Sequence, residues 1–145
     1  MEKVPYQSQN SAEESEVNSM EKLARENFAL WNEALLSKDS TRVADLYTRE
    51  NTFLPTLSPE FKRGFEGAES YFHHFLEKNP NGEIVDSAVQ AISDSAYLHS
   101  GMYNFEVGPE NNRSTVEARF TFLWQKNSEG KWKIAHHHSS VRPQP

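Results

Sequence analysis

Cysteine is absent from this chain of 145 residues, and so are a long apolar run and an excess of basic residues. Without cysteine the fold has no disulfides and no thiolate chemistry. No stretch approaches the ~20 apolar residues that span a bilayer, and the N-terminus lacks the features of a signal peptide. The net charge is −6, whereas nucleic-acid or anionic-membrane surfaces require basic stripes. We therefore expect a cytoplasmic protein without nucleic-acid or membrane partners.

Residues 1–18 differ from the rest of the chain because they are polar and contain almost no apolar side chains. Such a segment cannot bury enough surface to offset its ordering entropy, so we predict a disordered tail. Alternatively, Val4-Pro5-Tyr6 docks as an extended strand on a sheet edge. The remaining residues, 19–143, have the length of one domain.

Helical periodicity fills the first half of that domain. From Met20 to Ser37, apolar residues recur at four-three-four spacing, which predicts an amphipathic helix. Asp39 is placed to cap a short second helix, and a third helix is predicted after Gly64 and Gly67. The residues expected to face the core are Ala24, Phe28, Trp31 and Leu35 in the first helix, Val43, Leu46 and Tyr47 in the second, and Ala68, Phe72 and Phe75 in the third.

After Gly82 the pattern changes from helical to alternating, and it stays alternating to the end. Four strands joined by short polar turns are predicted over residues 84–92, 96–107, 115–126 and 131–140. Helices followed by a strand meander indicate an α+β fold. Three N-terminal helices are expected to pack on one side of a strongly curved antiparallel sheet.

The last two strands are predicted to form a hairpin, since turn residues separate two β-rich runs. A register with Trp124 opposite Ile134 and Phe122 opposite His136 is expected to join their apolar faces. It leaves Arg119, Thr121, His137 and Ser139 together on the opposite face as a candidate polar site. There, Arg119 is either a cation for an anionic ligand or the partner of Glu117 in an internal ion pair.

Phe120, Phe122 and Trp124 share the other face of this hairpin. If the helices cover the polar face, this aromatic patch is exposed, which a soluble monomer seldom tolerates. We therefore predict an oligomer interface at Phe120, Phe122, Trp124, His136 and His138. Alternatively, the tail or a loop of the same chain covers the patch.

Three consecutive histidines, His136 to His138, raise the question of a metal site. On a strand only His136 and His138 share a face, so a third ligand such as His99 or His73 would have to come from elsewhere. We expect no metal and no cofactor. Hydrogen bonding across a subunit contact, sensitive to pH because histidine titrates near neutrality, is the favoured interpretation.

Several motifs together resemble the association (hub) domain of calcium/calmodulin-dependent protein kinase II and its single-domain, SnoaL-like relatives. That domain has the cone-shaped fold of the nuclear transport factor 2 and ketosteroid isomerase superfamily. The likeness covers residues 20–143. The matching segments are Trp31-Asn32-Glu33-Ala34-Leu35, Val43-Ala44-Asp45-Leu46-Tyr47, Leu54-Pro55-Thr56-Leu57-Ser58, Arg63-Gly64, Tyr71-Phe72-His73-His74-Phe75-Leu76, Pro80-Asn81-Gly82, Gly101-Met102-Tyr103-Asn104-Phe105, Ala118-Arg119-Phe120-Thr121-Phe122 and Trp132 to Pro143.

The resemblance implies a protein that forms homodimers and ring oligomers, with a deep pocket that can take a small carboxylate. By family position, Arg63 and Tyr71 would join Glu117, Arg119 and His137 in this pocket. The chain departs from the family at Met102, where a pocket arginine is expected. It also lacks the kinase Gly-rich loop, the His-Arg-Asp motif and the Asp-Phe-Gly motif, which excludes phosphoryl transfer.

The predicted function is therefore a homo-oligomerising hub without catalysis of its own. The main alternative is an enzyme of the SnoaL or ketosteroid isomerase type acting on a small organic substrate. Glu117 could serve as its general base beside His137, but Arg119 next to Glu117 would lower the basicity of that carboxylate. A third alternative is a module that only binds a ligand.

Overall fold

Three α-helices precede most of the sheet in a computed structural model that describes the backbone from residue 3 and the side chains of residues 18–145. They are α1 (Lys3–Leu36), α2 (Ser40–Ala44) and α3 (Gly64–Phe75), the last of which continues into a 3-10 helix (Leu76–Lys78). The backbone of residues 4–6 belongs to α1, so the alternative of an extended strand there is wrong. The disordered tail and the domain limits of 19–143 stay predictions.

A side-chain cap defines the start of α2. The carboxylate of Asp39 accepts hydrogen bonds from the backbone N–H groups of Thr41 and Arg42, at 3.0 and 3.3 Å, which confirms the predicted cap. The predicted extension of α2 to Tyr47 is wrong, because the helix ends at Ala44 and Tyr47 begins a strand. A five-residue helix leaves the chain free to enter the sheet immediately afterwards.

Six strands form one sheet. They are β1 (Tyr47–Leu54), β2 (Lys62–Arg63), β3 (Asn81–Ser93), β4 (Ala96–Val107), β5 (Ser114–Lys126) and β6 (Trp132–Val141). Their order across the sheet is β2-β1-β6-β5-β4-β3, and every neighbouring pair is antiparallel except β1 with β6. The predicted α+β fold, with helices packed on a curved sheet, is confirmed.

The helices cover the face of the sheet that carries the aromatic side chains, here called the inner face. From α1, the ring centroids of Phe28 and Trp31 lie 6.4 and 5.4 Å from that of Phe122. From α3, Phe72 stacks on Phe53 of β1 at 5.5 Å. Aromatic contacts of this kind make the space between helices and sheet the hydrophobic core.

One extra residue in β6 changes the predicted register of the last hairpin. Trp124 pairs with Ile134 as predicted, but Leu123 pairs with His136, so Ala135 has no partner and forms a β-bulge. Beyond the bulge, His137 rather than His136 lies opposite Phe122. A shift by one residue moves every later side chain to the other face, because strand side chains alternate.

Two predictions are wrong for this reason and for the position of the helices. His137 and Ser139 are buried on the inner face, whereas Arg119 and Thr121 pair with Ser140 and His138 on the opposite, outer face. The aromatic patch is not exposed either: Phe120, Phe122 and Trp124 are at most 3% exposed within a single chain. They belong to the core beneath α1, so another copy is not needed to cover them.

Candidate functional site

A chain of hydrogen bonds crosses the aromatic core and is centred on His137. The bulge at Ala135 turns this imidazole inward, between Tyr47 at the start of β1 and Tyr103 in β4. The Tyr47 hydroxyl lies 2.8 Å from Nδ1 of His137, and the Tyr103 hydroxyl lies 3.1 Å from Nε2. Both ring nitrogens therefore have partners in a site that excludes bulk water.

The directions of these bonds fix the tautomer of His137. The Tyr103 hydroxyl donates its proton to Oγ of Ser139, at 2.6 Å, so towards His137 it can only accept. Nε2 of His137 therefore carries the proton, and Nδ1 accepts from the Tyr47 hydroxyl. Tyr47 in turn accepts from the indole N–H of Trp31 at 3.1 Å, which completes the chain at that end.

At its other end the chain of bonds reaches the loop after β1. Oγ of Ser139 is hydrogen-bonded to Oγ1 of Thr56, and the carbonyl of Thr56 accepts from the Tyr71 hydroxyl at 2.8 Å. The cavity beside these groups has a volume of about 10 Å³, room for about one water molecule. Its wall consists of Trp31, Phe53, Thr56, Tyr71, Phe72, Phe75, Tyr103, Phe105, His137 and Ser139.

Burial keeps every member of this cluster uncharged near neutral pH. It lowers the pKa of His137 well below its ordinary value, and the neighbouring His136 and His138 add to that effect. Burial also raises the pKa of Tyr47, Tyr103 and Tyr71 above the ordinary tyrosine value. A fully bonded neutral network makes the core rigid and specifies its packing.

Only two of the five predicted pocket residues line the core cavity. Tyr71 and His137 line the small cavity. Arg63 lies at the N-terminal end of α3, exposed, with its guanidinium 4.7 Å from the ring centroid of Phe61. Glu117 and Arg119 are exposed on the outer face of β5, away from the core. The predicted site around Arg119 therefore does not form.

Sequence reasoning placed Ser139 on the same face as His137 but missed Tyr103 as a hydrogen-bond partner of His137 and Thr56 as a partner of Ser139. The alternation of β4 predicts that Tyr103 faces inward, and its hydroxyl then requires a buried partner. That signal alone could have suggested a polar residue in the core. That His137 is the partner of Tyr103 depends on the bulge at Ala135, and no residue pattern in β6 predicts this bulge.

The outer face of the sheet consists of three rows of side chains that run across the strands. The first row is Leu98, Leu123, His136 and Thr52, the second is Ser100, Thr121, His138 and Leu54, and the third is Met102, Arg119 and Ser140. All are half-buried except His138 and Arg119, which are exposed. The predicted interface residues His136 and His138 therefore lie on a different face from Phe120, Phe122 and Trp124.

The histidines are dispersed over the molecule. His136 and His138 lie on the outer face, His99 is buried on the inner face of β4, and His73 is exposed on α3. Among the side chains of residues 18–145, no three His, Asp or Glu residues are placed to hold a metal ion. Nor does any helix in the described part of the chain have the length and hydropathy to cross a membrane.

Helices packed on a curved sheet around an aromatic core define the nuclear transport factor 2-like class of α+β proteins, and solved structures agree. A protein of the NTF2-like family from Streptomyces avermitilis, provisionally assigned as a dehydratase, superposes with a TM-score of 0.74, covering 88% of this chain and 99% of its own, at 13% identity. A provisionally assigned ketosteroid isomerase from Parabacteroides distasonis gives 0.61, with 79% and 84% covered, at 17% identity. These two show the fold alone.

Closer similarity identifies the family. The family described as "Calcium/calmodulin dependent protein kinase II association domain" matches residues 23–143. A protein from Xanthomonas campestris, provisionally assigned to that association domain, is 39% identical, with a TM-score of 0.78, and the match covers 81% of this chain and 84% of that one. The chain therefore belongs to the calcium/calmodulin dependent protein kinase II association domain family. No curated protein matches it.

Proposed function

We propose that this protein is a self-associating hub that forms homodimers, and from them rings, through the outer face of its sheet. Membership of the association-domain family supports self-association. The outer face supports it by its composition: Leu98, Met102 and Leu123 are apolar, half-buried residues on adjacent strands. Ser100, Thr121 and His138 lie between them, and such a mixture of apolar and polar groups is typical of interfaces between proteins that also exist separately.

The interface is tested by placing a charge at its centre. Leu123→Glu introduces a carboxylate between Leu98 and His136, and burying it against a second copy is unfavourable without a partner charge. We expect a lower mass in sedimentation experiments, with an unchanged circular dichroism spectrum. Ser128→Glu, in the exposed hairpin loop, adds the same charge elsewhere and is the control. Equal masses for the two variants and the natural chain would exclude this interface.

The enzyme alternative lacks a specific supporting feature. The residues considered for it, Glu117 and His137, lie on opposite faces of the sheet, so this base and this acid do not converge. The core cavity, at about 10 Å³, is far below the ~300 Å³ of typical small-molecule sites. This geometry favours association over turnover of a small organic substrate.

We further propose that a small carboxylate binds, not at Arg119, but in a cavity of about 230 Å³ at the mouth of the core. Lys62 and Lys78 line it, together with His74 and the ring of Tyr71. Glu60 also lines it and pairs with Lys62 at 2.9 Å, so a ligand must compete with that carboxylate. Titration with butyrate, followed by NMR, should shift the resonances of Tyr71. Lys78→Gln should weaken the effect, whereas Lys131→Gln should not; absence of any shift would contradict the proposal.

A further inference from the structure

A groove between α1 and the edge strand β3 is separate from the cavities described above. Its volume is about 430 Å³, within the range of ~300–1,000 Å³ typical of small-molecule sites. Its lining residues are Glu21 and Arg25 from α1, Ile84, Ser87, Ala88 and Val89 from β3, and His99 from β4. No residue of the His137 cluster is among them.

His99 in the wall of the groove has one ring nitrogen without a partner. The side chain is only 1% exposed, and its Nε2 lies 3.0 Å from Oγ of Ser87. Nδ1 is buried and makes no hydrogen bond within the described part of the chain. Buried polar atoms nearly always have a partner, so this enclosed nitrogen would gain one if the ring turned towards a donor in the groove.

The protonation state of His99 defines what that group can be. Burial lowers the pKa of His99 to about 4, so the ring is neutral near pH 7. If Nε2 donates to the Ser87 hydroxyl, Nδ1 retains a lone pair and accepts a hydrogen bond. A neutral ring can lie beside a cationic donor without charge repulsion.

Two opposite charges line the groove one helical turn apart. Glu21 and Arg25 are four residues apart on α1, so they lie on the same side of the helix. Neither forms an ion pair with another residue of the described range 18–145. On the facing strand, Ile84 and Val89 are half-buried and apolar. The groove therefore combines an anion, a cation, a hydrogen-bond acceptor and a short apolar wall.

We propose that this groove binds a free α-amino acid with a small aliphatic side chain. Its carboxylate pairs with Arg25, and its ammonium group pairs with Glu21 and, when the His99 ring turns towards the groove, donates to Nδ1. The aliphatic side chain packs against Ile84 and Val89. An α-amino acid carries both charged groups on the same carbon, so one molecule can pair with Glu21 and Arg25 together.

The test is NMR titration of the full chain with valine and two analogues that each lack one charged group. Valine should shift the ring-nitrogen resonances of His99 in a saturable manner. Isovalerate, without the ammonium group, and isobutylamine, without the carboxylate, should bind about tenfold more weakly or worse. No shift with valine would overturn the proposal and leave Nδ1 to a water molecule. Equal binding of isovalerate would also overturn it, in favour of a simple carboxylate site.

Two variants test the charges of Glu21 and Arg25 one at a time and keep the buried His99 in place. Glu21→Gln and Arg25→Gln should each weaken valine binding, and Glu21→Gln should abolish the preference for valine over isovalerate. Glu26→Gln, on an exposed residue of α1 that does not line the groove, is the control. Valine affinity that is unchanged in both groove variants would refute the assigned contacts.

Discussion

His137 is the residue whose position differs most from expectation and matters most for the core. Its ring stacks on Phe122 with centroids 4.1 Å apart and on Phe53 at 4.8 Å, while both nitrogens are hydrogen-bonded. It therefore acts as an aromatic core residue and as the polar link between Tyr47 and Tyr103. Its role depends on being neutral.

Replacing His137 by phenylalanine should destabilise the protein while preserving most of the ring packing. The variant leaves the Tyr47 hydroxyl proton without its acceptor, which costs about 1–3 kcal/mol in the free energy of unfolding. Urea denaturation measures this loss. Tyr103→Phe and the double variant complete a cycle, and we expect the double variant to lose less than the sum of the two single losses. Strict additivity would show that His137 and Tyr103 are not coupled.

The buried histidines should make the protein sensitive to acid. The folded pKa values of His99, about 4, and of His137 lie below the ordinary value of 6.5, so the unfolded chain binds protons first. Stability is retained above pH 6.5 and falls as the pH decreases towards 4, by about 1.4 kcal/mol per pH unit for each histidine.

Urea denaturation at a series of pH values measures that slope. His99→Phe should reduce it, because the variant has no group at this position that binds a proton on unfolding. His74→Gln is the matched control, since the side chain of His74 is 79% exposed. An equal slope for His99→Phe and the natural chain would contradict the assignment.

At the scale of elements, much could be predicted from local pattern. The alternation after Gly82 gave the last four strands, and the helical spacing of Ala68, Phe72 and Phe75 gave α3. The side of the sheet that the helices cover was predicted wrongly, although the apolar stripe of an amphipathic helix packs on the apolar face of a sheet, here the face of Phe122. The bulge at Ala135 was not predicted, because it depends on the pairing of β6 with β5 and not on the local sequence of β6.

A second bulge, in β3, depends on a glycine in the neighbouring strand. The register of β3 with β4 shifts between Ile84 and Asp86, opposite Gly101 to Tyr103. A Cβ atom added to Gly101 would lie only 2.1 Å from the backbone oxygen of Asp86. The close approach of the two backbones therefore requires glycine at this position.

Gly101→Ala should therefore displace β3 and destabilise the protein by about 2 kcal/mol or more, since backbone atoms cannot move aside as a flexible side chain does. Gly130→Ala is the comparison: its Cβ would meet nothing within 4 Å, although the φ of +79° is unfavourable for alanine. We expect a cost of about 1 kcal/mol there. Thermal unfolding of both variants compares them, and a harmless Gly101→Ala would contradict the geometry.

For the whole molecule, the hub proposal depends on whether the outer face of the sheet binds another copy of the chain. Apolar residues alternate there with polar ones, and His136, His138 and Arg119 are its basic groups, with Glu117 next to Arg119 in β5. Burial and the neighbouring His138 lower the pKa of His136, although its hydrogen bond with Thr52 opposes this. Association would bury these groups further.

We expect assembly to weaken between about pH 8 and about pH 5.5, because protonation of His136 adds positive charge to a face that already carries Arg119, and the buried interface disfavours the charged ring. Native mass spectrometry or light scattering at the two pH values measures the change. His136→Asn should reduce the difference, whereas His74→Gln, away from the outer face, should not. If the mass is the same at both pH values, protonation of these histidines does not affect the interface, which contradicts the prediction.

Self-association itself is tested by sedimentation equilibrium of the natural chain near neutral pH at micromolar concentration. The chain mass is 16.7 kDa, and a hub predicts a well-defined multiple of it that decreases in Leu123→Glu and not in Ser128→Glu. A single species of 16.7 kDa across the concentration range would contradict the hub and leave the outer face without a partner copy.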